Sequence, residues 1–235
     1  MIQNLYKNYF KNHSYSDIKN QFEIYFWTYS LNFKNDAIKP GLKVLEIWSW
    51  QWNFASFCQK MWITNYTGIE IDSEMAEYTQ KIFPEYNILS DDAIKYLEKY
   101  LEKYDIIFSS HVFEHFSIED GIHLATLIKE HLIDDTGRWI NIMPNASSIM
   151  AWLGRYNDIT HKVLYTENSF NQVLKMVWFQ KEKIEHRNSL IVENRWLVRL
   201  VSKVLIFIFR YTCILIQLPF PRIFTFEIYS IIKNW

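Results

Sequence analysis

Residues 44–53 read Val44-Leu45-Glu46-Ile47-Trp48-Ser49-Trp50-Gln51-Trp52-Asn53, an apolar run typical of a buried strand that leads straight into a helix-like segment. Proteins with alternating strands and helices bind nucleotide ligands at such strand-to-helix turns. A turn whose backbone must approach a ligand usually carries glycine, because glycine has no side chain to keep the ligand away. Here three indoles stand at alternate positions. The location therefore indicates a ligand site, but the three indole side chains would occupy the space that a ligand needs.

The rest of the chain alternates short apolar runs with amphipathic runs. Strands are predicted at 44–47, 66–71, 86–89, 104–109, 138–143, 178–187 and 224–232, with helices between the first six. Such alternation is typical of a parallel sheet that is covered by helices on both faces. The pattern predicts an α/β, Rossmann-like fold with a seven-stranded, mostly parallel sheet whose last strand is antiparallel. Its ligand crevice is expected at the carboxyl ends of the strands.

The composition is ordinary except for two residue types. The 235 residues have a net charge of −1 and two cysteines, which gives no basis for nucleic-acid binding, a disulfide framework or a four-thiolate metal site. However, there are 10 Trp and only 5 Gly. Glycine averages about 7% of residues and is needed wherever the backbone φ is positive. The shortage indicates that other residues stand at positions where this kind of fold uses glycine.

Reading glycine for the three tryptophans of the turn gives E-I-G-S-G-Q-G-N. This sequence resembles the first motif of class I S-adenosylmethionine-dependent methyltransferases, an acidic residue followed by G-x-G-x-G after the first strand. The resemblance implies the methyltransferase form of the predicted fold, with S-adenosylmethionine as the cofactor. It also implies that residues of the turn bind the cofactor, namely Glu46, Trp48, Ser49, Trp50, Trp52 and Asn53.

The next three strands extend the resemblance. The segment Y-T-G-I-E ends in Glu70, about 20 residues past the turn, where the family binds the ribose hydroxyls with an acid, and Ile71 follows it. After the third strand, Asp92 and Ala93 stand where the family contacts the adenine. Ser110 lies at the end of the fourth strand. The resemblance implies that all five residues contribute to the cofactor site.

Acid-base candidates follow the fourth strand, where the family's loop often ends in Glu-His. His111 and His115 are the candidate bases for an acceptor that starts protonated, and the alternative is that this segment only holds the loop. The spacing is similar to the E-x-x-E-H metal-binding stretch of some quinone O-methyltransferases. Because His111 replaces the first Glu of that stretch, no metal ion is predicted. After the fifth strand, Asn145, Tyr156 and His161 are the candidate contacts of the methyl acceptor.

Six tryptophans stand where the resemblance expects glycine: Trp48, Trp50, Trp52, Trp62, Trp139 and Trp178. We interpret them as glycines of the native protein, encoded by UGA codons that were translated as tryptophan. The alternative is that the tryptophans are genuine and block the cofactor site, which would make the chain a noncatalytic Rossmann-like binding module. UGG codons at positions 48, 50 and 52 would exclude the recoding.

The chain is predicted to comprise an N-terminal helical segment over 1–39 and a methyltransferase domain over 40–235, with a hydrophobic helical insertion at about 190–222. Within the insertion, 197–218 is almost continuously apolar, yet four polar residues fall within about 40° of one another on a helix. They are Arg199, Lys203, Arg210 and Gln217. This pattern indicates either a helix buried against the domain or a second subunit, or a helix at a membrane surface.

The expected function is methyl transfer from S-adenosylmethionine to a hydroxyl or carboxyl group of a small or lipid-linked acceptor, with cell-surface glycan or quinone metabolism as candidate settings. An NAD-dependent oxidoreductase is a further alternative, although its G-x-G-x-x-G spacing differs from the restored motif. No nucleic-acid partner is expected. A cytoplasmic location is expected because residues 1–20 lack the apolar core of a secretory peptide. Membrane-surface binding by 197–218 would place the protein at the inner face of the membrane. The oligomeric state stays open.

Overall fold

The computed structural model describes residues 18–33, 38–48, 53–189, 196–215, 217 and 221–234. Its strands are β1 (Lys43–Ile47), β2 (Asn65–Glu70), β3 (Asn87–Ser90), β4 (Ile106–Ser110), β5 (Arg138–Pro144), β6 (Ile184–Asn188) and β7 (Glu227–Lys233). Its helices are α1 (Ile18–Asn32), α2 (Asn53–Lys60), α3 (Ser73–Ile82), α4 (Ala93–Lys99), α5 (Ile118–His131), α6 (Ala151–Tyr156), α7 (Glu167–Met176) and α8 (Trp196–Leu215). Short 3-10 turns occupy Phe113–His115 and Lys181–Lys183.

In the described part of the chain, seven strands form one sheet in the order β3-β2-β1-β4-β5-β7-β6. Neighbours among β1 to β5 are parallel, whereas β7 is antiparallel to both β5 and β6. The chain order reverses between β1 and β4, which is where open α/β sheets form their ligand crevice. The predicted α/β fold with a mostly parallel, seven-stranded sheet is therefore confirmed.

Helices cover both faces of the sheet, because successive residues of a strand point to opposite faces. In β5, Ile140 and Ile142 join the buried cluster that contains the apolar side chains of α2 and α3. Trp139 and Met143, which alternate with them, join the cluster formed with α4, α5 and α7. The two clusters place a hydrophobic core on each side of the sheet, so only the strand ends remain available for a ligand.

Aspartates cap the helices that follow β2 and β3. The Oδ1 atom of Asp72 accepts hydrogen bonds from the backbone N of Glu74 at 2.9 Å and of Met75 at 3.1 Å. Asp92 caps α4 in the same manner. Such caps satisfy N–H groups that have no partner within the helix. The caps fix where each helix begins, directly behind the carboxyl end of its strand.

Two helices lie outside the alternating pattern. α1 packs on α2 through aromatic rings, with centroid distances of 5.8 Å between Tyr29 and Phe54 and 5.3 Å between Phe33 and Phe57. α8 lies between β6 and β7 in the chain, where the insertion is predicted. The domain division at residue 39 stays a prediction. The sixth strand begins at 184, not 178, because the end of α7 and a 3-10 turn precede it.

Candidate active site

A small cavity of about 60 Å³, partly open to solvent, lies at the carboxyl ends of β1, β4 and β5. The sheet brings three predicted cofactor residues, Glu46, Asn53 and Ser110, to its wall together with His111. Further wall residues come from α1 and from the start of β7, among them Tyr25, Tyr29, Asn32 and Glu227. The sheet edge and the N-terminal helix therefore enclose a crevice that is lined by three of the residues that the sequence places at the cofactor.

Glu46 is a buried carboxyl group at the end of β1, only 2% exposed. Burial raises its pKa to about 8, the nearby carboxylate of Glu70 adds to the increase, and a hydrogen bond donated by the hydroxyl of Tyr66 opposes it. Burial disfavours the charged form of an acid, whereas a hydrogen bond to the carboxylate favours it. The free chain thus holds Glu46 largely neutral near pH 7.

Glu70 ends β2, beside β1, and is also buried. Its Oε1 atom accepts a hydrogen bond from the backbone N of Asp72 at 3.0 Å. Burial raises the pKa of Glu70 to about 7 despite this bond. No cation of the described segments contributes to the pKa of Glu46 or Glu70. The sheet therefore presents two adjacent acids whose charge lacks a basic partner within this part of the chain.

The remaining cofactor candidates follow β2 and β3. Ile71 is half-buried directly after Glu70. The Oδ1 atom of Asp92 accepts from the backbone N of Ile94 and Lys95 at 3.0 and 3.1 Å, and Ala93 is buried. The predicted adenine contact therefore shares its carboxyl group with the cap of α4.

The strand-to-helix turn begins at Trp48, which has a positive φ of 56°. Its backbone N donates to the carbonyl oxygen of Ile69 at 2.8 Å. The indole lies against His115 and Phe116, with centroid distances of 5.2 and 5.6 Å. The side chain thus occupies the strand ends beside the crevice. Ser49, Trp50 and Trp52 lie outside the described residues, so their cofactor contacts stay predictions.

Trp62 and Trp178 both follow the last turn of a helix with positive φ, 58° and 64° respectively. After α2, the backbone N of Trp62 donates to the carbonyl oxygen of Gln59, and the backbone N of Ile63 donates to that of Cys58. After α7, the backbone N of Trp178 donates to the carbonyl oxygen of Lys175, and that of Phe179 donates to Leu174. This pair of bonds defines the Schellman motif, whose left-handed position is usually glycine. The indoles are 79% and 83% exposed, so packing does not explain them.

Trp139 behaves differently. It lies within β5, is fully buried, and its indole N–H donates to Ser109 Oγ at 2.8 Å. Its φ is not positive, so the backbone supplies no reason for glycine at this position. The interpretation of Trp139 as a native glycine rests on the sequence resemblance alone.

Trp62→Gly and Trp178→Gly should each raise the free energy of unfolding by about 1 kcal/mol, because the left-handed conformation costs a residue with a Cβ roughly 1–2 kcal/mol. Alanine at either position keeps the Cβ and should stabilise little. Trp27→Gly, inside α1, should lower stability by about 1 kcal/mol. Urea unfolding measures all three. Equal stabilisation by alanine and glycine would show that the exposed indole, not the backbone, is responsible.

His111 is held between two acids beyond the end of β4. Its Nδ1 lies 3.2 Å from Glu114 Oε1 and its Nε2 lies 3.0 Å from Glu227 Oε1. Burial alone would lower the pKa of His111, but hydrogen bonds to Glu114 and Glu227 outweigh it and raise the pKa to about 10. Near pH 7 this imidazole carries a proton on each nitrogen, so the arrangement favours a fixed cation over a base.

His115 has the opposite character. Burial lowers its pKa to about 4, so the ring is neutral at pH 7. The Thr160 hydroxyl donates to Asp158 Oδ1 at 2.6 Å, which leaves the Thr160 oxygen to accept a hydrogen bond from His115 Nδ1 at 2.8 Å. This tautomer places the lone pair of the neutral ring on Nε2. The chain Asp158, Thr160, His115 therefore orients an imidazole that can accept a proton.

Glu114, His115 and His161 converge beside this chain, with one ligand atom from each within 4.8 Å of the others. Glu114 is fully buried, and among the described atoms its Oε2 has no hydrogen-bond partner. His161 Nε2 lies 3.9 Å from Glu114 Oε1. Two imidazoles and a carboxylate are a donor set that suits zinc or iron. The sequence predicted no metal ion, and the geometry identifies these three as the residues that could hold one.

The other acceptor candidates lie apart from one another. The side-chain amide of Asn145 donates to the backbone carbonyls of Ile223 and Thr225 at 3.0 and 2.9 Å, which ties the segment before β7 to the end of β5. Tyr156 is 74% exposed and stacks with Arg155, while His161 lies next to His115 with ring centroids 4.6 Å apart. Of the three candidates, His161 is the one the structure places beside the candidate base.

Several residues of the site were not selected from the sequence. Glu227 lies 116 positions from its partner His111, and the two meet because β7 pairs antiparallel with β5. Asp158 and Thr160 fall in a loop whose polarity resembles that of any exposed loop. Tyr66 lies in a strand where an aromatic residue usually packs in the core. No local sequence signal distinguishes these side chains.

No protein-family model and no curated protein matches the sequence. Solved structures do. A SAM-dependent methyltransferase from Archaeoglobus fulgidus is similar with a TM-score of 0.66 and 18% identity, covering 97% of this chain and 98% of that one. The plantazolicin methyltransferase BamL, solved with a triazolic desmethylPZN analog and SAH, has a TM-score of 0.55 and 18% identity, covering 100% and 90% of the two chains.

The cyclopropane synthase MmaA2 from Mycobacterium tuberculosis is similar with a TM-score of 0.52 and 18% identity, covering 67% of this chain and 61% of that one. At these sequence identities, the structural similarity is evidence for a shared fold. It confirms the Rossmann-like fold, which these methyltransferases share.

Proposed function

We propose that this chain, with glycine at the tryptophan positions of the turn, is an S-adenosylmethionine-dependent methyltransferase acting on a hydroxyl or carboxyl oxygen. The observation that carries the proposal is the pair of buried acids, Glu46 and Glu70, at adjacent strand ends. Buried charges are normally paired, so two such acids favour a cationic ligand. S-adenosylmethionine has a sulfonium and an ammonium group, and its ribose hydroxyls can donate to a carboxylate.

Glu46 also disfavours an NAD-dependent oxidoreductase. NAD would place an anionic pyrophosphate at the turn that follows Glu46, where the ionised form of this acid would repel it. Glu70 does not discriminate between the two cofactors, because NAD-binding folds also bind a ribose with an acid at this position. A noncatalytic binding module is favoured by one observation, the contact of the Trp48 indole with His115 and Phe116. If the codons encode tryptophan, that contact closes the strand ends to a cofactor, and the module becomes the better assignment.

Glycine at position 48 would open the space between the turn and His115, and this space is where the sulfonium methyl and the acceptor would meet. When S-adenosylmethionine is bound, it supplies an electrophilic methyl group. The acceptor must be held in line with it, away from water. An acceptor that starts protonated also needs a base. We assign that role to His115, oriented by Thr160, and we assign His111 the positioning of Glu114 and Glu227.

The proteins with similar folds have different named activities, a plantazolicin methyltransferase and a cyclopropane synthase, so the fold does not select the acceptor. We propose a small or lipid-linked acceptor that enters between α1 and the start of β7, both of which line the cavity. Asn145 ties down one side of that entrance and His161 lies beside the candidate base. Cell-surface glycan and quinone metabolism are the settings proposed for such an acceptor.

Calorimetric titration of the variant with glycine at 48, 50 and 52 tests the assignment. S-adenosylmethionine and S-adenosylhomocysteine should bind, and NAD should not. Transfer of a labelled methyl group into lipid extracts or into small hydroxy and carboxylic acids then identifies the acceptor class. Binding of NAD without binding of S-adenosylmethionine would establish the oxidoreductase instead.

Cofactor affinity should rise by about tenfold or more between pH 6 and pH 8. The pKa values of Glu46 and Glu70, about 8 and about 7, keep both groups protonated at the lower pH. A cationic ligand binds the ionised forms, and each proton that must be displaced costs about tenfold in affinity per pH unit. Calorimetry in buffers of different ionisation enthalpy should show proton release at pH 7. Glu46→Gln should reduce that release, whereas the exposed-site variant Glu77→Gln should not. A pH-independent affinity would contradict the role of the two acids.

A further inference from the structure

α8 carries a large apolar surface that the rest of the described chain leaves exposed. Eight large apolar side chains between 204 and 215 are exposed: Val204, Leu205, Phe207, Ile208, Phe209, Tyr211, Ile214 and Leu215. Over the same stretch Cys213 is buried and Ile206 is half-buried. At 100° per residue these two lie within about 20° of each other. Over 204–215 the helix therefore contacts the domain along one narrow face.

The exposed apolar residues span an arc of about 220° around the helix axis, on the side away from that face. A helix that packs on a single neighbouring surface usually has an apolar stripe only somewhat wider than 100°. One flat protein surface would thus leave part of the arc in water, whereas the acyl region of a bilayer would surround it.

The charges of α8 are of one sign. The helix contains Arg199, Lys203 and Arg210 and no acid, and the sequence from 194 to 226 contains no acid at all. By helical spacing Arg210 falls on one flank of the helix, between the face that contacts the domain and the apolar arc. In a helix lying at a bilayer, this boundary is at the level of the lipid headgroups. Pairing of α8 with the α8 of a second copy would bring together positive charges only.

We propose that α8 binds the surface of an anionic lipid bilayer, with its apolar arc in the acyl boundary and its cations at the headgroup phosphates. None of the described helices is long and apolar enough to span a membrane, so α8 lies along the surface. Anionic headgroups attract cations that lie near the membrane surface. This interaction is independent of any chemistry at the cavity.

The strands that flank α8 meet the cavity. The helix is inserted between the last residue of β6 and the first of β7, and Glu227 pairs in register with Pro144, the last residue of β5. The insertion therefore begins and ends at the carboxyl edge of β5, where Ser189 and Glu227 line the cavity. This geometry favours an acceptor that resides in the lipid leaflet, an inference that rests on the proposed methyltransferase function.

Co-sedimentation with vesicles of phosphatidylcholine, with and without phosphatidylglycerol, tests the proposal on the full chain. The protein should sediment with the anionic vesicles and about tenfold less with the neutral ones, and added salt should release it. The double variant Phe207→Glu with Ile214→Glu should lose binding by about tenfold or more. Leu101→Glu with Met176→Glu, which changes two exposed apolar residues outside α8, is the matched control and should bind normally.

Circular dichroism melts establish that each variant folds. Unchanged cofactor affinity of the α8 variant in the glycine-restored chain separates this proposal from the proposed function. Absence of vesicle binding would overturn the proposal, as would equal binding to neutral and anionic vesicles. A self-association that the α8 variant abolishes, without vesicle binding, would assign the surface to a second copy instead.

Discussion

Replacing Trp48, Trp50 and Trp52 with glycine is expected to convert a chain without measurable affinity for S-adenosylmethionine into one that binds it in the micromolar range, a gain of about 100-fold or more. Two effects add. The indole of Trp48 occupies the space beside His115 and Phe116 at the strand ends. Its φ of 56° also costs a residue with a Cβ strain that glycine avoids. Isothermal calorimetry or equilibrium dialysis measures the gain.

The same three positions changed to alanine separate the two effects. Alanine removes the indoles but keeps a Cβ at each position, so we expect only part of the affinity to return. Trp27→Gly in α1 controls for the general effect of a tryptophan-to-glycine change. If the tryptophan and glycine versions bind the cofactor equally, the turn does not hold it, and the methyltransferase assignment fails.

Glu70→Ala in the glycine-restored chain should weaken cofactor binding by about 1.5–3 kcal/mol, which is roughly 10- to 150-fold. The variant removes the charge-assisted hydrogen bonds that the carboxylate would accept from the ribose hydroxyls. It also removes the acceptor of the Asp72 N–H. Titration with S-adenosylhomocysteine should show a similar loss, because the two ligands share the ribose.

Two further variants isolate the contribution of the charge. Glu70→Gln can still accept from the backbone N of Asp72 but carries no charge, so its loss should be smaller than that of alanine. Glu77→Gln removes an acid from the exposed side of α3 and should leave the affinity unchanged. An intact affinity in Glu70→Ala would place the ribose elsewhere.

The fold could be predicted from the sequence because its signals are local. Alternation of apolar and amphipathic runs locates β1 to β5, and Asp72 marks the start of α3 within two residues of the strand before it. The start of β6 was predicted six residues too early. A tryptophan at 178 reads as a strand residue, whereas the structure uses the position to end α7 in a left-handed turn.

The site was predictable where it follows a strand end and not where distant segments meet. Glu46 and Glu70 are separated by one strand and one helix, and the parallel register aligns their ends. Glu227 reaches His111 only through the antiparallel register of β7, which depends on the packing of the whole sheet. The hydrogen-bond chain to His115 depends on the path of the loop through Asp158 and Thr160, which has no periodic pattern.

The left-handed tryptophans also bear on how much of the protein a cell can accumulate. Trp48, Trp62 and Trp178 lie in separate parts of the fold, and the costs of independent sites add. At roughly 1–2 kcal/mol each, they total about 3–6 kcal/mol, against the 5–15 kcal/mol that holds a typical domain folded. A host that decodes these positions as tryptophan would produce a chain that proteases and chaperones remove faster than the glycine form. Low abundance would then appear before any loss of catalysis could be measured.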